Sequence, residues 1–114
     1  MLRRRMTQIL LHIEFFDSAL ESFIGLLEKS TIAKVLRTID LLETFGNRLG
    51  LPHSKKIERD IFELRIRGRQ EVRLFYAFYR QEIILLHGFV KKSQRIPQKE
   101  IEVARHKLQS LDTK

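Results

Sequence analysis

The sequence predicts an α+β fold in which helices back a sheet of antiparallel strands. Three observations lead to this prediction. Apolar and polar residues alternate in several short segments, as in half-buried strands. Residues 17–45 instead repeat their apolar side chains every three or four positions, as in helices. The 114 residues are enough for one hydrophobic core but not for two, so we expect a single domain over residues 1–114.

The N-terminal part predicts a strand followed by two helices. Apolar and polar residues alternate over residues 8–16, which predicts the first strand. Ser18 stands three residues before Glu21, the spacing of a capping box, and helical periodicity extends this helix over residues 17–28. A second apolar stripe over residues 30–45 ends at a Gly-Asn pair. The two helices are predicted to form a helical hairpin.

The rest of the chain predicts a loop, three strands and a final helix. Residues 46–56 contain two glycines and a proline, which is typical of a loop. Residues 57–67, 72–79 and 83–90 predict the neighbouring strands of a meander. The segment over residues 83–90 is apolar at both its odd and its even positions, so we expect this strand to be covered on both faces. Pro97 suits the first turn of a C-terminal helix.

The charge balance favours a polyanionic partner. Lys and Arg number 22 against 14 Asp and Glu, which gives a net charge of +8 and a sequence isoelectric point near 10.2. The absence of cysteine excludes disulfides and thiolate chemistry and favours a reducing compartment, so we expect a cytoplasmic protein. His12 and Glu14 interrupt the N-terminal apolar run, which argues against a secretory signal, and we expect no membrane span. Met6 is an alternative start to Met1.

Seven of the eight net positive charges fall in two segments of the chain. Residues 55–73 carry seven basic and four acidic side chains, and residues 91–99 carry four basic and no acidic ones. Because the strands of a meander lie side by side, we expect these charges to converge on one concave basic face. The alternative interpretation is solvated surface charge that keeps a small domain in solution.

Arg73 lies inside an otherwise apolar segment, where an unpaired charge is costly. It requires either an anionic ligand or a carboxylate, for which Glu63 and Glu71 are the candidates. The pair at residues 91–92 is either a solvated strand end or a phosphate clamp. Tyr76 is either a packing residue or a platform that stacks on a base.

The sequence offers no metal or cofactor site. Its four histidines show no metal-ligand spacing and have no cysteine to assist them. It also lacks a Gly-rich phosphate loop, a serine nucleophile elbow and a paired-carboxylate signature. The residues alone therefore indicate an anion-binding domain, and we expect no cofactor.

Four segments of the chain carry a family resemblance: residues 62–65, 72–76, 85–97 and 100–104. The run Leu-His-Gly-Phe-Val-Lys-Lys-Ser-Gln-Arg-Ile-Pro is the most specific of them. They resemble HigB-type toxins of the RelE/ParE superfamily, in particular the phage-derived branch, and the likeness covers residues 8–111. It implies a RelE-like fold of two helices on an antiparallel sheet with a further C-terminal helix.

The resemblance also implies an activity and partners. Such toxins are endonucleases that cleave messenger RNA on the ribosome without a metal, through attack of the substrate's own 2′-hydroxyl on the adjacent phosphate. A HigA-like helix-turn-helix antitoxin neutralises the toxin. Operator DNA is contacted only through the complex with that antitoxin, and no membrane is involved.

Carried over to this chain, the resemblance implies that Arg73 binds the scissile phosphate, with Arg65 on the neighbouring strand. Lys91 and Lys92 match phosphate ligands or a proton donor. Glu63 stands where ribosome-dependent relatives often have a lysine, and their late tyrosine has no certain counterpart. Burial would raise the pKa of Glu63 and suit it as general base, whereas an ion pair with an arginine would lower that pKa. Further RNA contacts are expected from Lys55, Lys56, Arg67, Tyr76 and Arg95.

Two other functions are compatible with the same residues. A ParE-like toxin would inhibit DNA gyrase through protein contacts and would cleave no RNA. A non-catalytic RNA-binding module would bind in a salt-dependent manner and would not be toxic.

Overall fold

The computed structural model describes residues 11–112, which contain five strands, three α-helices and one short 3₁₀ helix. In chain order these are β1 (His12–Phe15), α1 (Ser18–Gly25), α2 (Lys29–Phe45), the 3₁₀ helix (Gly46–Arg48), β2 (Ser54–Glu58), β3 (Ile61–Ile66), β4 (Val72–Tyr79), β5 (Glu82–Val90) and α3 (Gln98–Leu111). The predicted α+β class is confirmed, and the arrangement is compatible with a RelE-like fold. Residues 8–10 of the predicted first strand lie outside the described residues.

The five strands form one sheet in the order β1-β5-β4-β3-β2. The four strands from β2 to β5 are antiparallel neighbours, as the predicted meander requires. β1 lies parallel to β5, so the prediction of a purely antiparallel sheet is wrong at this edge. The reason is the path of the chain: the helical hairpin carries it from β1 to the opposite edge, and the meander then returns to β1.

Two predictions are wrong in this part of the chain: the loop over residues 46–56 and the single strand over residues 57–67. Residues 54–58 form a separate strand, β2, which precedes β3. A tight turn, in which Asp60 has a φ of 67°, separates β2 from β3. β2 begins with the polar run Ser54-Lys55-Lys56, which lacks the alternation of a half-buried strand. It is an edge strand held by its pairing with β3, and lysines are common at such edges because they discourage pairing with other chains.

The two faces of the sheet pack against different helices. α1 and α2 cover one face, here called the hairpin face, whose core includes Leu20, Val35, Leu42, Leu64, Leu74 and Leu85. α3 covers part of the other, here called the α3 face, whose core includes Ile61, Phe75, Ala77, Ile84, Leu86 and Phe89. Residues 83–86 of β5 are all buried and alternate between the faces, which confirms that this strand is covered on both sides. Within residues 11–112, no helix is long and apolar enough to cross a bilayer.

α1 is shorter than predicted, and its N-cap is Asp17 rather than Ser18. The Asp17 Oδ1 accepts a hydrogen bond from the Leu20 amide at 3.1 Å, and the helix ends at Gly25 instead of near residue 28. The Asp17 Oδ2 lies 2.9 Å from the Lys107 ammonium on α3. This one side chain therefore caps α1 and joins it to the helix on the other face of the sheet.

Gly88 lets α1 approach β5 closely on the hairpin face. A Cβ at this position would lie 2.7 Å from a Leu74 methyl and 3.0 Å from both Leu20 and Phe23. These distances are shorter than van der Waals contact, so even one methyl group would push α1 away from the sheet.

We expect Gly88→Ala to lower the free energy of unfolding by about 1–3 kcal/mol, since it overpacks the contact between α1 and β5. Gly50→Ala is the matched control, because a Cβ there meets nothing within 4 Å. The control should change the free energy by less than about 1 kcal/mol. Urea unfolding measures both, and equal stabilities for the two variants would contradict the close approach.

Asp17 should contribute to stability in a pH-dependent way. Its hydrogen bond with Lys107 and its cap bond hold the pKa of the Asp17 carboxyl below its usual value, against the raising effect of burial. Its contribution is thus complete above the unfolded-state pKa and is lost as the pH falls through the lowered pKa.

At neutral pH, Asp17→Ala should cost about 1 kcal/mol through loss of the cap. Asp17→Asn keeps the cap acceptor and should cost less. Urea unfolding at neutral pH and at about pH 3 tests this, because the difference between wild type and Asp17→Asn should shrink in acid. A difference that grows in acid would contradict the assignment.

Candidate active site

α3 covers only part of its sheet face, and the rest of that face carries charge. The apolar contacts of α3 involve the part of the face around Ile61, Ala77 and Ile84. Further along the same face lie Glu63 on β3 and Arg73 on β4, both almost completely buried. The predicted convergence of basic residues on one sheet face is therefore centred on a buried ion pair.

The strand register orders these side chains in two rows across the sheet. Successive cross-strand neighbours form a first row of Lys55, Glu63, Phe75 and His87, and a second row of Arg65, Arg73 and Phe89. Neighbouring strands lie about 5 Å apart, and residues two apart on one strand are separated by about 7 Å. The face thus brings two arginines, a lysine, a carboxylate and a histidine into a patch about 15 Å by 7 Å.

Arg73 is held by carboxylates on two sides. Its guanidinium Nε lies 3.3 Å from Glu63 Oε2, and its Nη1 lies 3.3 Å from Glu71 Oε1. The side chain is 2% exposed, so it is not a solvated surface charge. Glu63 and Glu71, the two carboxylates that the sequence offers as partners for Arg73, therefore both form ion pairs with it.

Burial and the neighbouring cations shift the pKa of Glu63 in opposite directions. Burial raises the pKa of its carboxyl, and this effect outweighs the lowering effects of Arg73, Arg65, Lys91 and Lys55, in that order. Arg65, two residues further along β3, has its Nε 3.5 Å from Glu63 Oε1. We refer to Lys55, Arg65, Arg73 and Lys91, gathered around Glu63, as the cationic cluster.

Three buried polar atoms of this cluster make no hydrogen bond. Among the described residues, Glu63 Oε2, Arg65 Nε and Arg73 Nε are buried and lack a partner with hydrogen-bond geometry, although the ion-pair distances are short. Buried polar groups without partners are uncommon and concentrate where a protein binds or reacts with something else. Two donors and one acceptor that face each other match the needs of a phosphodiester and its neighbouring hydroxyl.

Lys91 joins the cluster from the end of β5. Its amide donates to the carbonyl of Glu71 at 2.7 Å, and its ammonium donates to the carbonyls of Ser93 and Gln94 at 2.6 and 3.0 Å. These residues and the exposed Lys92 line a cavity of about 390 Å³. The cavity borders the cationic cluster, because Lys91 belongs to both.

The remaining predicted RNA contacts are not all gathered on this face. Lys56 alternates to the other side of β2, where its ammonium lies 5.9 Å from the centre of the Phe62 ring. Arg67 follows β3 and lines a groove of about 550 Å³ beside α2, which Arg65 lines as well. Arg95 is exposed in the loop between β5 and α3.

Tyr76 is a packing residue, and the prediction that it stacks on an RNA base is wrong. Its side chain is 1% exposed and belongs to the core of the hairpin face, opposite the cationic cluster. The hydroxyl is hydrogen-bonded to Ser54 Oγ, and the ring stacks on Phe62 with centroids 5.5 Å apart. A ring enclosed in this way has no surface on which a nucleobase could stack.

The sequence analysis did not identify the pair formed by His87 and Glu100. The His87 Nε2 lies 2.6 Å from Glu100 Oε1, in the first turn of α3. They lie thirteen positions apart, a spacing that belongs to no motif, and they meet because α3 folds back over β5. The imidazole also stacks on Phe89, with centroids 6.2 Å apart.

The face holds no arrangement typical of a metal site. Within residues 11–112, no group of three or more His, Cys, Asp or Glu side chains is placed to hold a metal ion. The arginines and lysines of this face can stabilise negative charge, and its carboxylates and imidazole can transfer protons.

Comparison with known proteins assigns the chain to a family. The family model described as Phage derived protein Gp49-like (DUF891) matches residues 22–109, which is well over half of the chain and includes β2 to β5 and most of α3. No curated protein matches the chain. The chain therefore belongs to the phage-derived Gp49-like family, a RelE-like family associated with the toxins of toxin–antitoxin systems.

Proposed function

We propose that the protein is the toxin of a type II toxin–antitoxin system and an endoribonuclease that cleaves messenger RNA on the ribosome. The observation that carries the proposal is the cationic cluster, in which two arginines and two lysines surround one buried carboxylate. Membership in a toxin-associated family supports the biological role. The chemistry proposed is attack of a 2′-hydroxyl on the adjacent phosphate, which needs charged and proton-transferring side chains but no metal.

Arg73 and Arg65 bind the scissile phosphate in this proposal. They face each other on neighbouring strands, and each has a buried Nε–H without a hydrogen-bond acceptor. A phosphate oxygen would satisfy these donors. Since the site is partly dry, the guanidinium groups stabilise the extra negative charge of the transition state more strongly than they would in water.

Glu63 acts as the general base. Its Oε2 lies 3.3 Å from the Arg73 Nε without hydrogen-bond geometry, and in this proposal that oxygen takes the proton of a 2′-hydroxyl. Burial raises the pKa of the carboxyl, which makes it a stronger base than an exposed glutamate. Glu63 thereby replaces the lysine that ribosome-dependent relatives of the RelE/ParE type often have.

The lysines supply the approach to the site. Lys55 is exposed beside Glu63, and Lys92 is exposed at the cavity next to Glu71. Positive groups on both sides of the arginines can follow the RNA backbone in either direction, and their contacts weaken with salt. Lys56, Arg67 and Arg95 would contact ribosomal RNA from other surfaces.

The proposed partners follow from this role. A HigA-like helix-turn-helix antitoxin neutralises the toxin in the cytoplasm, and operator DNA is contacted only through that complex. An acidic antitoxin segment over the cationic cluster would compensate the buried cations and exclude RNA at the same time.

We expect Arg73→Ala to abolish growth inhibition when the gene is induced and to reduce RNA cleavage by about 100-fold or more, since it removes a phosphate ligand from a partly dry site. Arg65→Ala, which removes a more exposed side chain, should act in the same direction with less risk to folding. Colony counts and primer extension on cellular messages measure the two effects.

Arg59→Ala is the matched control, because Arg59 is exposed in the turn between β2 and β3 and lies outside the cationic cluster. It should stay fully toxic. Cleavage within translated codons supports the nuclease. DNA damage without RNA cleavage would instead favour gyrase inhibition, and salt-dependent RNA binding without toxicity would favour a non-catalytic module.

We expect Glu63→Gln to reduce cleavage by about 100-fold or more, because glutamine cannot accept the proton. The variant should stay folded. Since burial raises the pKa of Glu63, any stability that this group contributes is present below the unfolded-state pKa and is lost as the pH rises through the raised value. The same substitution also removes one of the two carboxylates that compensate the buried Arg73, which lowers stability at neutral pH, while Glu71 stays beside that arginine. Thermal unfolding checks that the variant remains folded, and cleavage at the wild-type rate would remove Glu63 from the base role.

A further inference from the structure

We propose that the groove between α2 and the end of β3 is the docking site for an acidic, apolar segment of the protein that neutralises the toxin. This α2 groove has a volume of about 550 Å³ and is lined by one side of α2, by Pro52 and His53 ahead of β2, and by residues 65–67 at the end of β3. The identity of the partner rests on the proposed function. The inference adds to it a docking surface other than the cationic cluster.

Part of the lining of the α2 groove is apolar. Leu41 and Ile66 line it, and Ile66 also belongs to the core of the hairpin face. Leu51, the chain neighbour of the lining residue Pro52, is 68% exposed. Burial of a partner's apolar side chains against this surface is favourable because it removes apolar area from water. The groove therefore suits a partner that brings apolar side chains.

The same groove is strongly cationic. Of the described residues that line it, four are basic and only Asp40 is acidic; the basic ones are Lys34, Arg37, Arg65 and Arg67. Within residues 11–112, neither Arg37 nor Arg67 forms an ion pair, and the Lys34 ammonium donates only to the Arg67 carbonyl, at 3.3 Å. Cations that lack an internal carboxylate are complemented by the carboxylates of another chain.

One stripe of α2 supplies both the cations and the apolar groups. Lys34, Arg37, Thr38 and Leu41 follow one another at intervals of three or four residues, so they lie on one side of the helix. The Thr38 hydroxyl already donates to the Lys34 carbonyl at 2.7 Å and needs no partner from outside. A helix with apolar residues on one side and carboxylates along the edges of that side complements this stripe.

Other occupants match the α2 groove less well. Single-stranded RNA is usually held by cations together with aromatic rings on which its bases stack, and no Phe, Tyr or Trp is among the described residues that line the groove. A second copy of this chain carries a net charge of +8 and is repelled by a cationic lining. Residues 1–10 contain three arginines and no carboxylate. An acidic segment of a different protein is the occupant that remains.

Arg65 connects the α2 groove to the cationic cluster. It lines the groove, and its Nε lies 3.5 Å from Glu63 Oε1 in the cluster. Its amide donates to the carbonyl of His53, another lining residue, at 2.8 Å. A carboxylate docked at this end of the groove competes with the substrate phosphate for the Arg65 guanidinium. Docking thereby inhibits cleavage without covering Arg73.

Peptide selection tests the docking site directly. The immobilised, purified full-length protein selects binders from a displayed library of random peptides of about 15 residues, which is long enough for four helical turns. We expect the selected peptides to be acidic and to carry apolar residues at intervals of three and four positions. Fluorescence anisotropy with synthetic copies of these peptides then gives the Kd for wild type and for each variant.

Variants of α2 locate the bound peptide. Arg37→Glu should weaken binding about 10-fold or more, because it sets a like charge against the carboxylates of the peptide. Leu41→Ala should also weaken binding, since it removes apolar lining. Arg59→Glu is the matched control, because it makes the same charge change at an exposed residue outside the groove. It should alter the Kd by less than about 2-fold, since distant exposed charges are screened.

Inhibition of cleavage tests the connection through Arg65. The selected peptides should inhibit cleavage of ribosome-bound messenger RNA by wild type. Arg37→Glu should cleave that message at the wild-type rate, because Arg37 lies outside the cationic cluster. It should need about 10-fold or more peptide for the same inhibition, in line with its weaker binding.

The outcomes separate this inference from the proposed function. The docking site is overturned if no peptides are enriched, if the enriched ones are not acidic, or if Arg37→Glu binds them no more weakly than Arg59→Glu does. Binding that depends on Arg73 but not on Arg37 would place the segment on the cationic cluster instead. RNA binding that is lost in Arg37→Glu, without loss of peptide binding, would identify RNA as the occupant.

The nuclease proposal stands in each of these cases as long as wild type cleaves the message. If wild type binds acidic peptides through Arg37 but cleaves no RNA, the proposed function fails and the docking site remains.

Discussion

The burial of a charged arginine inside the sheet is the constraint on which the rest of the candidate site depends. β4 directs Val72, Leu74 and Tyr76 into the core of the hairpin face, so strand alternation directs Arg73 to the opposite face. A buried guanidinium cannot be covered by an apolar helix, because its charge would lose water without compensation. Glu63 and Glu71 provide that compensation, and the apolar contacts of α3 are confined to the neighbouring part of the face.

The fold was predictable wherever local pattern and tertiary role agree. β4 and β5 have the composition of buried strands, and both were predicted within one residue of their observed bounds. β2 was missed because Ser54, Lys55 and Lys56 are polar, and only the hydrogen bonds of a neighbouring strand make this segment a strand. The parallel pairing of β1 with β5 was likewise invisible, since it depends on where the meander returns to the first strand.

The candidate site was predictable only in part, because some of its contacts depend on tertiary packing that leaves no local sequence pattern. An arginine in an apolar segment signals a buried charge, so the need of Arg73 for a partner could be inferred from sequence. Tyr76 was predicted wrongly because β4 has apolar residues at both odd and even positions, so the sequence does not show which face of the sheet each side chain occupies. The pairing of His87 with Glu100 depends on the return of α3 over β5 and on a bulge, neither of which leaves a local signal.

The charge balance of the site bears on why a nuclease of this kind would act on the ribosome. The four cations of the cationic cluster face two carboxylates, Glu63 and Glu71, so the net positive charge that can attract RNA is small. A site that is half neutralised from within attracts free RNA less than four uncompensated cations would, because its affinity depends on the phosphates that uncompensated cations can neutralise. The arginines then favour the transition state, whose added charge they are placed to stabilise, over the ground state of the message. Under the proposed function, the ribosome would supply the missing binding energy by presenting the message in a fixed position, while the cluster supplies the charges and proton carriers for the reaction.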